Sequence, residues 1–310
     1  MMRPVNGSGG VLVGTACIVA AWLLFSLHDA AIKLLVTELS PWQVLFARSA
    51  MILPLCVLIG GRRCTRNLAA APARGQLVLG AVVYALAWVA YYAAARHLQL
   101  AELETIYYVS PVITTVLAIL FLKEQVPLAR WTALVVGFAG VVLACQPSAV
   151  RDVMPVAVLL LGAGLWAVAM ILVRKTGCEV TTEAQMFLNG AVSLLLCGVA
   201  APWWWTLPSP HELGLMALVG GAGFVAQYLL YEGIRRAPAS VAAPLEYTGL
   251  LWSFVLGFLI WGDVPAGVVF AGAGLILLSG FALIALEWRQ ARSGAEGAAP
   301  PREAAVVAAS

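Results

Sequence analysis

The sequence predicts an all-α integral membrane protein with ten transmembrane helices, and its composition is the first reason. Of the 310 residues, 62% are hydrophobic and only 11% are charged, with a mean hydropathy of +0.94. A soluble domain carries about 25% charged residues, so this chain could not cover its own surface in water. The second reason is that apolar stretches long enough to cross a bilayer follow one another with short connections.

Each predicted span is an apolar window close to the roughly 20 residues that a transmembrane helix needs. Gly, Ala and Ser recur along these windows, which favours a bundle whose helices pack by close approach of their backbones. The connections between them leave no room for a separate soluble domain. The windows are 11–34, 41–60, 75–95, 102–122, 129–146, 153–173, 183–203, 212–232, 239–261 and 264–286.

The distribution of positive charge predicts that both termini are cytoplasmic. With the N-terminus inside, fourteen of the 18 Lys and Arg residues fall on the inner side of the membrane and three on the outer side, while Arg48 lies within the second span. Cytoplasmic loops are enriched in these residues. Residues 287–310 lose hydrophobicity and gain Pro, Gly and charge, which predicts a disordered cytoplasmic tail.

The chain contains an internal repeat of five spans, 11–146 and 153–286. The segment "RHLQLAELETIYYVSPVITTVLAILFLKEQVP" from Arg96 matches "RRAPASVAAPLEYTGLLWSFVLGFLIWGDVP" from Arg235. Because five is an odd number, the second repeat is expected to be inverted relative to the first. Inverted repeats are typical of secondary transporters, in which substrate binds between the repeats. The alternative is a duplicated membrane protein that transports nothing.

Several motifs in order resemble the ten-helix EamA-type members of the drug/metabolite transporter superfamily. They are "LFSLHDAAIKLL", "LSPWQVLFARS", "YYVSPVITTVLAILFLKEQVPLARWTALVVGFAGVVL", "LLLGAGLWAVAMILVRK" and "APASVAAPLEYTGLLWSFVLGFLIWGDVP". The resemblance implies a carrier for small metabolites. Relatives move amino acids and similar zwitterions, opine-type metal chelators, riboflavin or S-adenosylmethionine, some outward and some inward.

Ionisable residues inside the first two spans are candidates for function, because such residues are costly within a membrane. His28 and Asp29 have no polar counterparts in the second repeat, which favours a role in the transport path. Lys33 matches Arg174 in the second repeat and is interpreted as a helix-end residue that reaches the interface. The alternative for Asp29 is a structural pair with Arg48, which enters the second span at a similar depth.

Aromatic residues predict a cavity between the third and fourth spans. Tyr84, Trp88 and Tyr92 recur every four residues and therefore share one helical face. Tyr hydroxyls at this depth require hydrogen-bond partners, which favours the bundle interior over a lipid-facing surface. Tyr107 and Tyr108 in the fourth span are further candidates. Glu102 and Glu104 begin the fourth span, where the helix dipole favours carboxylates, which suffices to explain at least one of them.

Glu246 lies about seven residues into the ninth span and far in sequence from any Lys or Arg. It is a candidate for carrying a coupling proton, and a static hydrogen-bond network is the alternative. Gln185, Tyr228 and Tyr231 are further lining candidates, about even between interhelical hydrogen bonding and substrate contact. The remaining candidates for substrate binding or coupling are Trp166, Asn189, Gln227, Tyr247 and Trp252.

These features predict a proton-coupled secondary transporter of a small polar or zwitterionic metabolite. The resemblance implies export, and an amino-acid-like compound or an opine-type metallophore as the cargo. One alternative is an uptake carrier for a vitamin or cofactor such as riboflavin or S-adenosylmethionine. Another is a non-transporting membrane scaffold subunit. We expect no enzymatic activity, no cofactor and no metal, since the chain has no Walker-type phosphate loop, zinc motif or nucleophile elbow.

The expected setting is the bacterial inner membrane, crossed several times. We expect the partners to be a small-molecule metabolite and membrane lipid, with no nucleic acid, and the chain to act as a monomer or homodimer. The six cysteines are scattered along the chain and are interpreted as small buried hydrophobic residues.

Overall fold

The computed structural model describes residues 8–123, 128–145, 153–176, 180–236, 245–246, 248–262, 267–268, 270–275, 277–279 and 281–282. Within these residues the chain is almost entirely α-helical. The helices are α1 (Ser8–Glu38), α2 (Pro41–Gly60), α3 (Arg63–Ala70), α4 (Arg74–Ala95), α5 (Leu100–Tyr107), α6 (Ser110–Leu122), α7 (Leu128–Cys145), α8 (Val153–Thr176), α9 (Thr182–Trp204), α10 (Pro210–Arg236) and α11 (Thr248–Trp261). The predicted tail 287–310 lies outside the described residues.

Six of these helices, α1, α2, α4, α8, α9 and α10, are long and apolar enough to cross a membrane. Shorter helices are also apolar, among them α11 and the segment Phe270–Ser279. Large apolar side chains cover the outside of the bundle, and Leu58, Leu195 and Val199 are each more than two-thirds exposed. Such side chains suit contact with lipid, so the predicted class of helical, multi-pass membrane protein is confirmed.

The long helices pack in pairs from the two halves of the chain: α1 along α10, α4 along α8, and α2 along α9. Small residues permit the close approach. A Cβ atom at Gly162 of α8 would lie only 3.1 Å from the Cβ of Ala90 and 3.4 Å from the carbonyl oxygen of Ala87 on α4. This contact agrees with the prediction that small residues allow the helix backbones to approach each other closely.

The predicted fourth span, 102–122, is wrong as one continuous helix, because α5 ends at Tyr107 and α6 begins at Ser110. Pro111 lacks an N–H group and its ring opposes the carbonyl of the residue four positions earlier, so it disfavours continuation of the helix from α5. The amide of Val109 instead bonds the carbonyl of Ile106 at 3.2 Å.

A short helix, α3, occupies the connection between α2 and α4, where the sequence analysis predicted none. Its inner side contributes Leu68, which packs against a small cluster formed by Ala71, Leu77, Val180 and Ala184. Its other side exposes Arg66. Because α3 is short and amphipathic, a search for long apolar windows does not detect it.

Candidate functional site

A cavity of about 20 Å³ lies where α1, α4, α5 and α8 meet, which is room for about one water molecule. We call it the aromatic–acidic cavity, because six aromatic side chains and two carboxylates line it. Both carboxylates, Asp29 and Glu104, are buried. The lining residues are Trp22, Phe25, Asp29, Trp88, Tyr91, Glu104, Tyr107 and Trp166.

Some of the ring pairs of this cavity meet edge to face, and others are tilted. The Trp88 and Trp166 rings lie 5.9 Å apart at 85°, and the Tyr91 and Tyr107 rings lie 5.2 Å apart at 79°. Edge-to-face pairs are a favourable arrangement for aromatic quadrupoles. Because ring faces attract cations, rings combined with two carboxylates form a setting suited to an ammonium or other cationic group.

Glu104 is the main residue that the sequence analysis missed. Its Oε1 accepts a hydrogen bond from the Tyr91 hydroxyl at 2.7 Å, and its side chain faces the cavity rather than the end of a helix. The explanation by helix dipole alone is therefore insufficient. A signal was present, because Glu104 precedes Tyr107 by three residues and Tyr108 by four, which places it on the aromatic face of α5.

His28 and Asp29 form a direct pair, although neighbouring side chains on a helix point about 100° apart. Nδ1 of His28 lies 2.8 Å from Oδ1 of Asp29. On the other side of the ring, Nε2 of His28 lies 3.5 Å from the Tyr92 hydroxyl. If Asp29 is ionised, Nδ1 carries the proton and Nε2 accepts from Tyr92. The three groups then form a short hydrogen-bonded chain.

Arg48 is buried against Trp88 and does not form the direct ion pair with Asp29 that was the structural alternative. Its Cζ lies 4.0 Å from the centroid of the Trp88 ring, and its Nη2 donates to the Tyr84 hydroxyl at 3.4 Å. In the part of the chain that the structure describes, the short ionic contact of Asp29 is the one with His28. Asp29 acts on Arg48 at longer range through its charge.

Gly223 of α10 makes room for this cluster. A Cβ atom at position 223 would lie 2.8 Å from Cδ2 of His28 and 3.2 Å from Nε of Arg48. Any side chain larger than hydrogen would therefore press on both residues. The close packing of α1 against α10 depends on the absence of a side chain at this point.

A second cavity, of about 10 Å³, lies between α2, α4, α9 and α10. We call it the donor cavity. On one side the Tyr84 hydroxyl donates to Oε1 of Gln227 at 3.0 Å, and on another Nδ2 of Asn189 donates to the Tyr231 hydroxyl at 3.2 Å. The lining residues are Leu45, Arg48, Ser49, Ile52, Tyr84, Met186, Asn189, Gly190, Ser193 and Gln227.

The structure brings most of the predicted site residues to these two cavities. Asp29, Trp88, Tyr107 and Trp166 line the aromatic–acidic cavity, whereas Arg48, Asn189 and Gln227 line the donor cavity. His28 and Tyr92 contact each other and the Trp88 ring.

The other candidates lie outside the two linings. Glu246 is half-buried and lies within electrostatic range of Glu104 and Arg174. A Cβ atom at Gly249 would lie very close to the Tyr108 hydroxyl, which is therefore directed towards α11. Trp252 is on α11 and lines neither cavity, and Tyr247 lies outside the described residues.

Lys33 differs from its sequence interpretation. It was expected to end a helix at the membrane interface, but α1 continues to Glu38. The Nζ atom of Lys33 instead lies 4.7 Å from the ring centroid of Trp261, at the end of α11. This cation–π contact ties the two helices together.

The family model of EamA-like transporters matches residues 12–146 and 154–285. The chain belongs to the EamA-like transporter family. This EamA chain is 28% identical over 278 residues to a pseudopaline exporter of Pseudomonas aeruginosa, covering 87% of this chain and 95% of that one. It is 27% identical over 277 residues to an S-adenosylmethionine uptake transporter of Rickettsia bellii, covering 85% and 92%.

A solved crystal structure of another protein shares the fold. Its TM-score with this EamA chain is 0.72 at 18% sequence identity, and the match covers 92% of this chain and 99% of the other. At this identity the likeness concerns the fold alone. Membership of the family makes the protein a transporter of small molecules, and the finer questions of cargo and direction depend on the site.

Proposed function

We propose that this EamA-family protein is a proton-coupled secondary carrier that exports a small polar or zwitterionic metabolite carrying an amine, such as an amino-acid-like compound or an opine-type metallophore. The observation that carries the proposal is the aromatic–acidic cavity, in which Asp29 and Glu104 are buried among indole and phenol rings. Burial of a carboxylate within the membrane is energetically costly. Such a residue is therefore a candidate for function or for pairing with a cation.

Recognition of the cargo follows from the lining. An ammonium group against an aromatic face of the lining gains cation–π attraction, and a carboxylate beside it supplies charge-assisted hydrogen bonds. A neutral compound lacks the cation–π attraction, and a purely anionic one is repelled by the carboxylates. The lining comes from both halves of the chain, with Trp166 on α8 and the other residues on α1, α4 and α5, so movement between the halves changes access.

The proton route runs through His28 and Asp29. Asp29 lies within 2.8 Å of His28 and within electrostatic range of Arg48, Glu104 and Tyr91. A proton on Asp29 removes the negative charge that holds a cationic cargo, and loss of the proton restores it. Binding of the proton and of the amine then compete for the same carboxylate, which is the minimum requirement for exchanging one for the other.

The helix pairing supports the inverted repeat. If the two repeats correspond as the sequence suggests, α1 matches α8, α2 matches α9, and α4 matches α10. The contact of α1 with α10 then maps onto the contact of α8 with α4, and the contact of α2 with α9 maps onto itself. We therefore propose a two-fold axis in the membrane plane that relates the repeats. The proposed protein has ten spans in the inner membrane of a bacterial cell, with both termini in the cytoplasm.

The structure corresponds to a closed conformation of such a carrier. At about 20 Å³, the aromatic–acidic cavity has room for roughly one water molecule and none for a metabolite. The rings of Trp88, Tyr91 and Trp166 therefore have to separate before cargo enters. Alternating access by movement of one repeat against the other would do this.

Uptake is the second candidate, because the named relatives differ in direction: one is an exporter and the other an uptake transporter. S-adenosylmethionine combines a sulfonium, an amine and a carboxylate with an adenine ring, so it also matches aromatic faces and carboxylates. The lining alone does not set the direction, and export is favoured here by the resemblance to the pseudopaline exporter.

Untargeted mass spectrometry of cells and medium tests the proposal. We compare a deletion strain with strains that express the wild type, Asp29→Asn, Glu246→Gln or the control Glu38→Gln, whose carboxylate is exposed near the end of α1. We expect an amine-bearing compound to accumulate inside the deletion strain and to appear outside with the wild type and Glu38→Gln only. Depletion inside with retention in the medium would indicate uptake, and no difference under varied nutrient and metal supply would contradict transport.

A further inference from the structure

Three buried hydrogen-bond donors around the donor cavity have no partner among the described residues. They are Nε of Arg48, Nε2 of Gln227 and the hydroxyl of Ser193. Each of these side chains is at most 2% exposed, and each lines the same cavity between α2, α9 and α10. Buried polar groups are nearly always hydrogen-bonded in native proteins, so three such groups in one place need an explanation.

Ordered water does not account for them in this conformation. The cavity measures about 10 Å³, at or below the space that one water molecule requires. A single molecule at that site has two hydrogens and two lone pairs, so it accepts at most two hydrogen bonds. Three donors exceed what one water molecule can accept.

The chemistry of the lining specifies the group that would satisfy these donors. Arg48 contributes a positive charge; the described lining contains no carboxylate, and Asp29 acts on Arg48 only at longer range. Gln227 uses its Oε1 to accept from Tyr84, which leaves its amide hydrogens for another acceptor. A carboxylate has two oxygens and about four lone-pair sites, so it matches one cation and several neutral donors.

The position of the cavity relates this group to the cargo. Arg48 lines the donor cavity, Trp88 lines the aromatic–acidic cavity, and the two side chains are in contact at 4.0 Å. One metabolite can therefore place an amine against the rings and carboxylates on one side of this contact and an acidic group on the other.

We propose that the donor cavity is the carboxylate-binding subsite of the carrier, formed by Arg48, Ser193 and Gln227. This assignment rests on the proposed function and narrows its cargo to compounds that carry an acid as well as an amine. In this conformation the subsite is small, and Ile52 of α2 and Met186 of α9 are among the side chains that line it. Separation of these two helices opens it for the carboxylate.

Acetate is the probe for the subsite, because it presents a carboxylate with almost nothing else attached. The full-length protein is reconstituted in lipid nanodiscs, and its Tm is followed during titration with sodium acetate against sodium chloride at equal ionic strength and pH. Methylammonium chloride serves as the amine counterpart. A ligand that binds the folded state raises Tm in a saturable way, and we expect a rise of a few degrees with acetate.

Two variants locate the binding. Gln227→Glu keeps the acceptor for Tyr84 but replaces the free amide donor with a negative charge, so we expect the acetate response to be lost. Ser193→Ala removes one donor without adding charge, and we expect several-fold weaker binding. The control is Ser253→Ala, because the Ser253 hydroxyl is buried on α11 and, among the described residues, donates to the Leu250 carbonyl of its own helix. It should retain the full response to acetate.

The proposal is overturned if acetate gives no saturable rise in the wild type, or if Gln227→Glu and Ser193→Ala respond like the control. Should Gln227→Glu fail to fold, Ser193→Ala alone decides. The result is separable from the test of transport: metabolite export without acetate binding would remove the subsite and keep the carrier. Acetate binding at these residues with no exported compound would keep the subsite as an anion site and remove the carrier.

Discussion

The Arg48 guanidinium carbon lies 4.0 Å from the centre of the Trp88 ring, with both side chains buried in the middle of the helical bundle. Because each residue lines a different cavity, this contact is the boundary between the aromatic–acidic cavity and the donor cavity. A buried arginine on an indole face is held by its stack as well as by its hydrogen bond to Tyr84. The boundary is therefore specific to a planar cation.

Replacement of Arg48 by Lys tests this boundary. Lysine keeps the charge but not the planar guanidinium that stacks on Trp88 and donates to Tyr84. Since a desolvated cation–π contact contributes up to about 2 kcal/mol, we expect kcat/KM for transport to fall by about tenfold or more. The measurement is initial efflux rate against cargo concentration, with Arg66→Lys in the exposed part of α3 as control. Equal loss in both variants, or none in either, would contradict a specific role for the stack.

Replacement of Glu104 by Gln tests recognition of the amine. Glutamine still accepts a hydrogen bond from Tyr91 but lacks the negative charge, so packing is conserved. Because a hydrogen bond to a charged group contributes about 1.5–3 kcal/mol, we expect KM for an amine-bearing cargo to rise by about tenfold while expression stays normal. Tyr91→Phe, which keeps the charge, should have a smaller effect. An unchanged KM in Glu104→Gln would show that this carboxylate does not bind the amine of the cargo.

Gly223→Ala tests the packing behind His28 and Arg48. The new methyl group would lie 2.8 Å from Cδ2 of His28 and 3.2 Å from Nε of Arg48. Overpacking of this kind lowers stability by about 1–3 kcal/mol. We therefore expect a lower Tm and slower transport. Gly221→Ala on the same helix is the matched control, since a Cβ atom there meets nothing within 4 Å and alanine favours a helix by roughly 0.5–1 kcal/mol. A lower Tm in Gly221→Ala alone would contradict the packing described.

The long helices could be predicted from the sequence because length and hydropathy alone specify them. The starts of α2 at Pro41 and of α8 at Val153 coincide with the predicted spans. The break between α5 and α6 was missed because the window around Pro111 is apolar on both sides, and hydropathy does not register a missing N–H group. The short helix α3 was missed because its apolar face is only a few residues wide.

The site was predicted unevenly for a physical reason. Asp29, His28 and Arg48 are unusual residues within apolar windows and therefore stand out. Glu104 lies near the end of a window, where a carboxylate has an ordinary explanation, and only the angle of α5 reveals that it faces Tyr91. The contact of Arg48 with Trp88 instead of Asp29 depends on how α2 and α4 are rotated, which no pattern along one chain specifies.

Efflux from proteoliposomes under an imposed pH gradient tests the central claim most directly. Proteoliposomes that contain the purified protein are loaded with the compound that mass spectrometry identifies. The wild type, Asp29→Asn and Glu38→Gln are compared with and without the gradient. We predict that the gradient accelerates efflux in the wild type and in Glu38→Gln, and that Asp29→Asn shows no acceleration, because its uncharged side chain neither takes up the proton nor holds a cationic cargo. A response to the gradient in Asp29→Asn equal to that of the wild type would contradict the account, as would a wild type that does not move the compound.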